Sequence, residues 1–162
     1  MATTEKHSRP SFEVLYMTLA FGLAQRSTCR RLSVGTVITT TDYRQVLAVG
    51  YNGNATGLAN HCDSDTPGSC GCLHSEENAC INCQTPRSTP KVVFVTHLPC
   101  VMCAKRLLNL GGVQRIYYSQ EYRIAAAREL LEQNGIEMQR LHTPASEVLQ
   151  SMKWDVTEPS AS

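Results

Sequence analysis

With 162 residues and a formal net charge of +1, the chain is long enough to bury a core as a single domain over residues 1–162. That near-neutral balance excludes a broad electrostatic footprint for long nucleic acid or an anionic membrane. The polar start, Met1 to His7, lacks the apolar stretch of a secretory signal, and Val14 to Gly22 is too short and mixed to span a bilayer. A cytoplasmic protein is expected.

Residues 1–10 and 157–162 are polar and read as disordered tails. Between them, Ser11 caps a predicted helix to about Arg26, with Phe12, Leu15, Tyr16, Leu19 and Leu23 near one face. Val34–Thr40 and Gln45–Tyr51 are β-rich and form a predicted hairpin around Thr41-Asp42-Tyr43-Arg44. A Gly- and Asn-rich loop follows from Asn52 to Leu73, and a loop of that length is usually functional or tied down. A helix is expected from His74 to about Cys83 and a buried strand over Val92–Thr96. Pro99 opens a helix from Cys100 to about Leu110. Arg115–Ser119 is the next strand, Tyr122–Asn134 a helix stopped by Gly135, and Ile136–Leu141 the last strand. Thr143-Pro144 signals a final helix to about Trp154. The alternation predicts an α/β fold of three layers, α/β/α, around a five-stranded mixed sheet.

Eight cysteines without an export signal point to metal rather than disulfides. His74-Ser75-Glu76 and Pro99-Cys100-Val101-Met102-Cys103 supply one imidazole and two thiolates. Three protein ligands leave the fourth position of a tetrahedral zinc open, as catalytic rather than structural sites do. Zinc at His74, Cys100 and Cys103 would bring the pKa of a bound water to roughly 7. Two thiolates leave that zinc formally uncharged and weaken the acidification, so Glu76, two residues after the histidine, is the expected proton carrier. The pattern H-x-E…P-C-x-x-C is the signature of zinc-dependent nucleobase deaminases. A structural zinc knuckle beside a surface glutamate is the bland alternative.

Beyond these motifs the chain resembles the deoxycytidylate (dCMP) deaminases of the cytidine-deaminase-like superfamily. Ser27-Thr28-Cys29-Arg30-Arg31-Leu32-Ser33-Val34-Gly35 resembles the family's S-T-C-x-R-x-x-V-G-A segment. Gly50-Tyr51-Asn52-Gly53, with Asn60-His61-Cys62-Asp63 after it, resembles its G-Y-N-G loop. Leu98 to Lys105 and Arg115-Ile116-Tyr117-Tyr118 resemble its second zinc helix and the strand that follows. The resemblance implies hydrolysis of dCMP to dUMP and ammonia, a zinc cofactor, a small nucleotide substrate and a homo-oligomer, a hexamer by family habit. It also implies substrate contacts: Asn52 at the deoxyribose, Tyr122 closing over the substrate, and Arg26, Arg30 or Arg31 at the 5′-phosphate, since arginine presents a planar fork to phosphate.

The chain departs from the family pattern in places. Ser75 replaces the alanine of His-Ala-Glu and is grouped with the substrate-binding positions. Gly53-Asn54-Ala55-Thr56-Gly57 lacks the proline of G-Y-N-G-x-P-x-G, in the neighbourhood where regulated members take Mg2+ with a dCTP effector.

Some family members carry a second, structural zinc. The resemblance places Cys29, one of His61 or Cys62, Cys70 and Cys72 around it, pinning the long loop to the first helix. Cys80 and Cys83 read as small buried apolar residues and are the alternative pair. Two other functions stay open on sequence. One is a related deaminase acting on a modified pyrimidine nucleotide, guanine or transfer-RNA adenosine; the other is a zinc-stabilised regulatory module without activity.

Overall fold

In the computed structural model, residues 9–121 and 126–142 are described. Ser11 accepts the Val14 amide on its hydroxyl at 3.3 Å, which starts α1, Phe12–Ala24. The chain then runs through β1, Gly35–Thr40; β2, Val46–Tyr51; α2, Ser75–Asn82; β3, Lys91–His97; and α3, Val101–Leu110. It ends with β4, Val113–Gln120; α4, Ala126–Gln133; and β5, Glu137–Arg140. The expected helix start at Tyr122 and the final helix from Thr143 lie outside the described residues.

The five strands form one mixed sheet in the order β2-β1-β3-β4-β5. β1 runs antiparallel to both β2 and β3, while β3, β4 and β5 are parallel. The expected α/β/α layering follows from side-chain alternation along the strands. Val92 and Phe94 on β3 and Tyr117 on β4 pack with Tyr16, Met17 and Ala20 of α1 on one face. Val93, Val95, Ile116 and Tyr118 pack with Ala79, Ala104, Leu107, Ala127 and Leu131, from α2, α3 and α4, on the other. β3 is buried on both faces and therefore reads as an unbroken apolar run, as parallel central strands do.

The boundaries differ from expectation where tertiary contacts override composition. β3 begins one residue before the expected Val92, at Lys91, which is fully buried. Its ammonium donates to the carbonyls of Pro86, Thr89 and Gly111 at 2.9–3.1 Å, which satisfies all three of its donors. The hairpin turn holds Tyr43 at φ 61°, with its carbonyl accepting from the Tyr16 hydroxyl at 2.6 Å.

Two glycines bring helices against the sheet. A methyl group on Gly35 would run into the Ala20 carbonyl of α1, and one on Gly50 into the Ser75 carbonyl and Ala79 amide of α2. The start of α2 thus lies directly on β2, where Asn78 and Asn82 donate to the Tyr51 and Val49 carbonyls at 2.9 and 3.0 Å. Among the described residues, no helix is long and apolar enough to cross a membrane.

Candidate active site and metal centres

His74 and Cys100 occupy equivalent places: each is the extended residue immediately before a helix, α2 and α3 respectively. The two helix N-termini meet beyond the carboxyl end of β3, the usual ligand-binding edge of a parallel sheet. Cys100 Sγ accepts the Cys103 amide at 3.4 Å, so α3 is capped by a thiol, a place where helix dipoles favour thiolate.

His74 Nδ1 lies 3.6 Å from Cys100 Sγ and 3.3 Å from Cys103 Sγ, and the three donor atoms fall within 4.8 Å of one another. A tetrahedral zinc with the usual bond lengths separates nitrogen from sulfur by about 3.6 Å. Chemistry and spacing therefore fit zinc. The Cys103 side chain and His74 both bond to Cys100 and hold its thiol down at about 3, whereas the Cys100 partner and burial push Cys103 up.

Glu76 follows on the first turn of α2, with only 4% of its surface exposed. Burial raises its carboxyl above the usual carboxylate range, against the opposing pull of its own amide, His74 and the Ser75 hydroxyl. Ser75 donates to Glu76 Oε2 at 3.0 Å and pairs with Thr36 Oγ1 at 2.8 Å. The Ser75 hydroxyl is thus turned toward the glutamate and β1.

A second cluster gathers the cysteines of the long loop. Cys29 Sγ lies 3.9 Å from Cys70 and 3.7 Å from Cys62, and Cys72 lies 3.8 Å from Cys62. All four sulfurs fall within 4.8 Å of one another. Tetrahedral zinc tetrathiolate requires about 3.8 Å between sulfurs, so this set fits a closed site. The Arg30 amide bonds to Cys62 Sγ and lowers that thiol to about 7. Of the two neighbours left open by sequence, Cys62 joins the cluster; His61 stays out, with Nδ1 2.8 Å from the Cys62 carbonyl oxygen. Cys80 on α2 and Cys83 at its C-terminal end were expected to be buried but are only partly so, packed against the core, and they belong to neither cluster.

The expected substrate contacts are less uniform. Asn52 is buried and bridges the segment leading into β1, accepting from Val34 N at 2.8 Å and donating to Leu32 O at 2.6 Å. One amide hydrogen and one oxygen lone pair remain for a ligand. Arg26 stacks over the Tyr51 ring at 6.0 Å. Arg30 pairs with Asp65 at 2.9 Å, and Arg31 donates to the Asp65 carbonyl at 3.5 Å, so both arginines brace the cysteine-rich loop. Tyr122 lies outside the described residues. Thr36 went unnoticed in the sequence, although it stands at the final alanine of the V-G-A pattern.

Two helix N-termini carrying a His-Cys-Cys donor set beside a buried glutamate define the zinc-dependent nucleobase deaminase class. The model of the cytidine and deoxycytidylate deaminase zinc-binding region matches residues 10–120, and the chain belongs to that family.

The chain is 33% identical over 147 residues to ComE operon protein 2 of Bacillus subtilis, covering 82% of this chain and 72% of that protein. It is 30% identical to the deoxycytidylate deaminase of Mycobacterium phage D29, over 70% of this chain and 98% of the phage protein. Two yeast deoxycytidylate deaminases are longer, and the chain spans only 47% and 40% of them. Among solved structures, it resembles dCMP deaminase from the cyanophage S-TIM5 in complex with dCMP and dUMP. That likeness has a TM-score of 0.72 at 31% identity and covers 83% of this chain and all of the cyanophage chain.

Proposed function

We propose that the chain is a zinc-dependent deaminase that hydrolyses dCMP to dUMP and ammonia. The observation that carries this reading is the convergence of His74, Cys100 and Cys103 within 4.8 Å next to the buried Glu76. The cyanophage relative's complex with dCMP and dUMP supports the choice of substrate.

His74, Cys100 and Cys103 would hold the zinc, which would supply a water acidic enough to act as nucleophile near neutral pH. Glu76 would carry one water proton to the ring nitrogen and then the second, from the hydroxyl added to the pyrimidine carbon, to the departing amine. Oxygen replaces nitrogen on the pyrimidine carbon, and ammonia leaves. The raised carboxyl of Glu76 suits a group that must both accept and return a proton. The remaining donor and acceptor on Asn52 suit a sugar hydroxyl, with Tyr122 and Arg26 as further substrate contacts; Arg30 would have to leave Asp65 to reach a phosphate.

A second zinc at Cys29, Cys62, Cys70 and Cys72 would act structurally, since four thiolates leave no open position. Its role would be to fix the 52–73 loop against the end of α1. A homo-oligomeric, cytoplasmic enzyme, hexameric by family resemblance, completes the proposal; an effector pair of Mg2+ and dCTP rests on that resemblance alone.

Ammonia release from dCMP, deoxycytidine and cytosine tests the substrate assignment. The monophosphate is expected to have the highest kcat/KM, because sugar and phosphate contacts add binding energy. Equal efficiency on free cytosine would overturn the nucleotide reading in favour of a base deaminase.

A further inference from the structure

Both alanines of the family patterns, the one closing V-G-A and the one within His-Ala-Glu, are hydroxyl residues here: Thr36 and Ser75. The two lie 39 residues apart, yet their hydroxyl oxygens are 2.8 Å apart and both residues are 0% exposed. The sheet creates this meeting. Thr36 is the cross-strand partner of Gly50, and the missing side chain at Gly50 admits the Ser75 backbone to the sheet surface. The Ser75 hydroxyl therefore sits over Thr36 and reaches Glu76 Oε2 at 3.0 Å.

Proton counting gives the chain a direction. Ser75 donates to Glu76 Oε2, the one direction open to it while the carboxylate is ionised. Ser75 then has no hydrogen left for Thr36, and Thr36 must donate to Ser75. Each hydroxyl has one donor and spends it toward the glutamate.

We propose that Ser75 and Thr36 are positioning residues for the proton-carrying Glu76: the buried relay Thr36 to Ser75 to Oε2 fixes the carboxylate's orientation. This inference rests on the deaminase reading for its kinetic consequences but not for the hydrogen bonds themselves. A carboxylate on a helix's first turn otherwise rotates about its side-chain torsions, which are broad at the terminal sp2 bond. Anchoring one oxygen removes that freedom and leaves the other for the reaction. Thr36 acts only through Ser75, so the two should be strongly non-additive.

The test uses the zinc-loaded full-length protein and the variants Ser75→Ala, Thr36→Val, Thr36→Ser and the double variant Ser75→Ala/Thr36→Val. Zinc content serves as the control. Ser75→Ala is expected to lower kcat for dCMP about tenfold, the effect of losing one hydrogen bond to a charged group, with KM within about twofold. Thr36→Val should lower kcat by a smaller factor, about threefold, while Thr36→Ser retains the hydroxyl and restores it. The double variant should match Ser75→Ala alone.

An independent readout is the 13C resonance of the Glu76 carboxyl at fixed pH, assigned by its loss in Glu76→Gln. That resonance should move in Ser75→Ala and Thr36→Val but stay in place in Thr36→Ser. Unchanged kcat in Ser75→Ala, additive losses in the double variant, or a rise confined to KM would overturn the proposal, the last by making Ser75 a substrate contact. Should the wild type deaminate no cytosine nucleotide, the functional reading fails, while the carboxyl resonance still decides the positioning. Should Ser75→Ala not fold, the Thr36→Val and Thr36→Ser pair carries the same decision.

Discussion

His74, Cys100 and Cys103 hang from the starts of two helices packed on the sheet, whereas Cys29, Cys62, Cys70 and Cys72 come from segments that are neither helix nor strand. The first set has three donors and a buried carboxylate beside them. The second has four donors and no carboxylate among them. Secondary structure holds the first cluster in place, and its three donors would leave the fourth position of a bound zinc open. In the loop the causation would run the other way, with a bound metal supplying the order that the local sequence lacks. The same cation would thus do two jobs, set by the number of ligands and by what carries them.

Removing a ligand from each cluster separates these jobs. His74→Ala should produce the largest change: turnover of dCMP falls below detection, and the zinc count drops by one per chain with the fold retained. A normal zinc count by elemental analysis after that substitution would break the division between the sites. Cys29→Ser should cost less in chemistry and more in stability. The second zinc is lost, the melting temperature falls, and hydrogen exchange in residues 52–73 rises, because structural zinc couples binding to folding. Protein that stays folded should keep turning over dCMP. A melting curve that superimposes on the wild type would remove the structural role of the loop cluster. His61→Ala is the fine control and the smallest effect, since the ring lies outside the cluster. Zinc content and melting temperature should match the wild type; loss of a zinc would place His61 among the ligands in solution.

Legibility in the sequence followed the same division. The His-Cys-Cys set could be read because each half is local: Glu76 follows His74 by two residues, and Cys103 follows Cys100 by three, on helices whose starts are marked. Strand order around β3 was legible only as a mixed α/β alternation, because pairing register depends on contacts between distant segments. The loop cluster was readable as a set of cysteines but not as a ligand list. His61 and Cys62 are adjacent, and only the backbone path decides which side chain turns inward. The expected strand at Val92–Thr96 starts one residue early, at Lys91, because three carbonyl acceptors from 86, 89 and 111 make a buried ammonium tolerable, and their convergence on one side chain is not visible in composition. The Thr36–Ser75 bond had no local signal at all, since it arises from the approach of α2 to β2 at Gly50.

The central claim is that Glu76 moves protons for a zinc site it does not help to build. Glu76→Ala, with zinc content and ammonia release from dCMP measured on one preparation, tests it most directly. The expected result is an unchanged zinc count together with at least about a 100-fold loss of turnover, the low end for a general acid–base residue. Turnover close to wild type at an unchanged zinc count would contradict it.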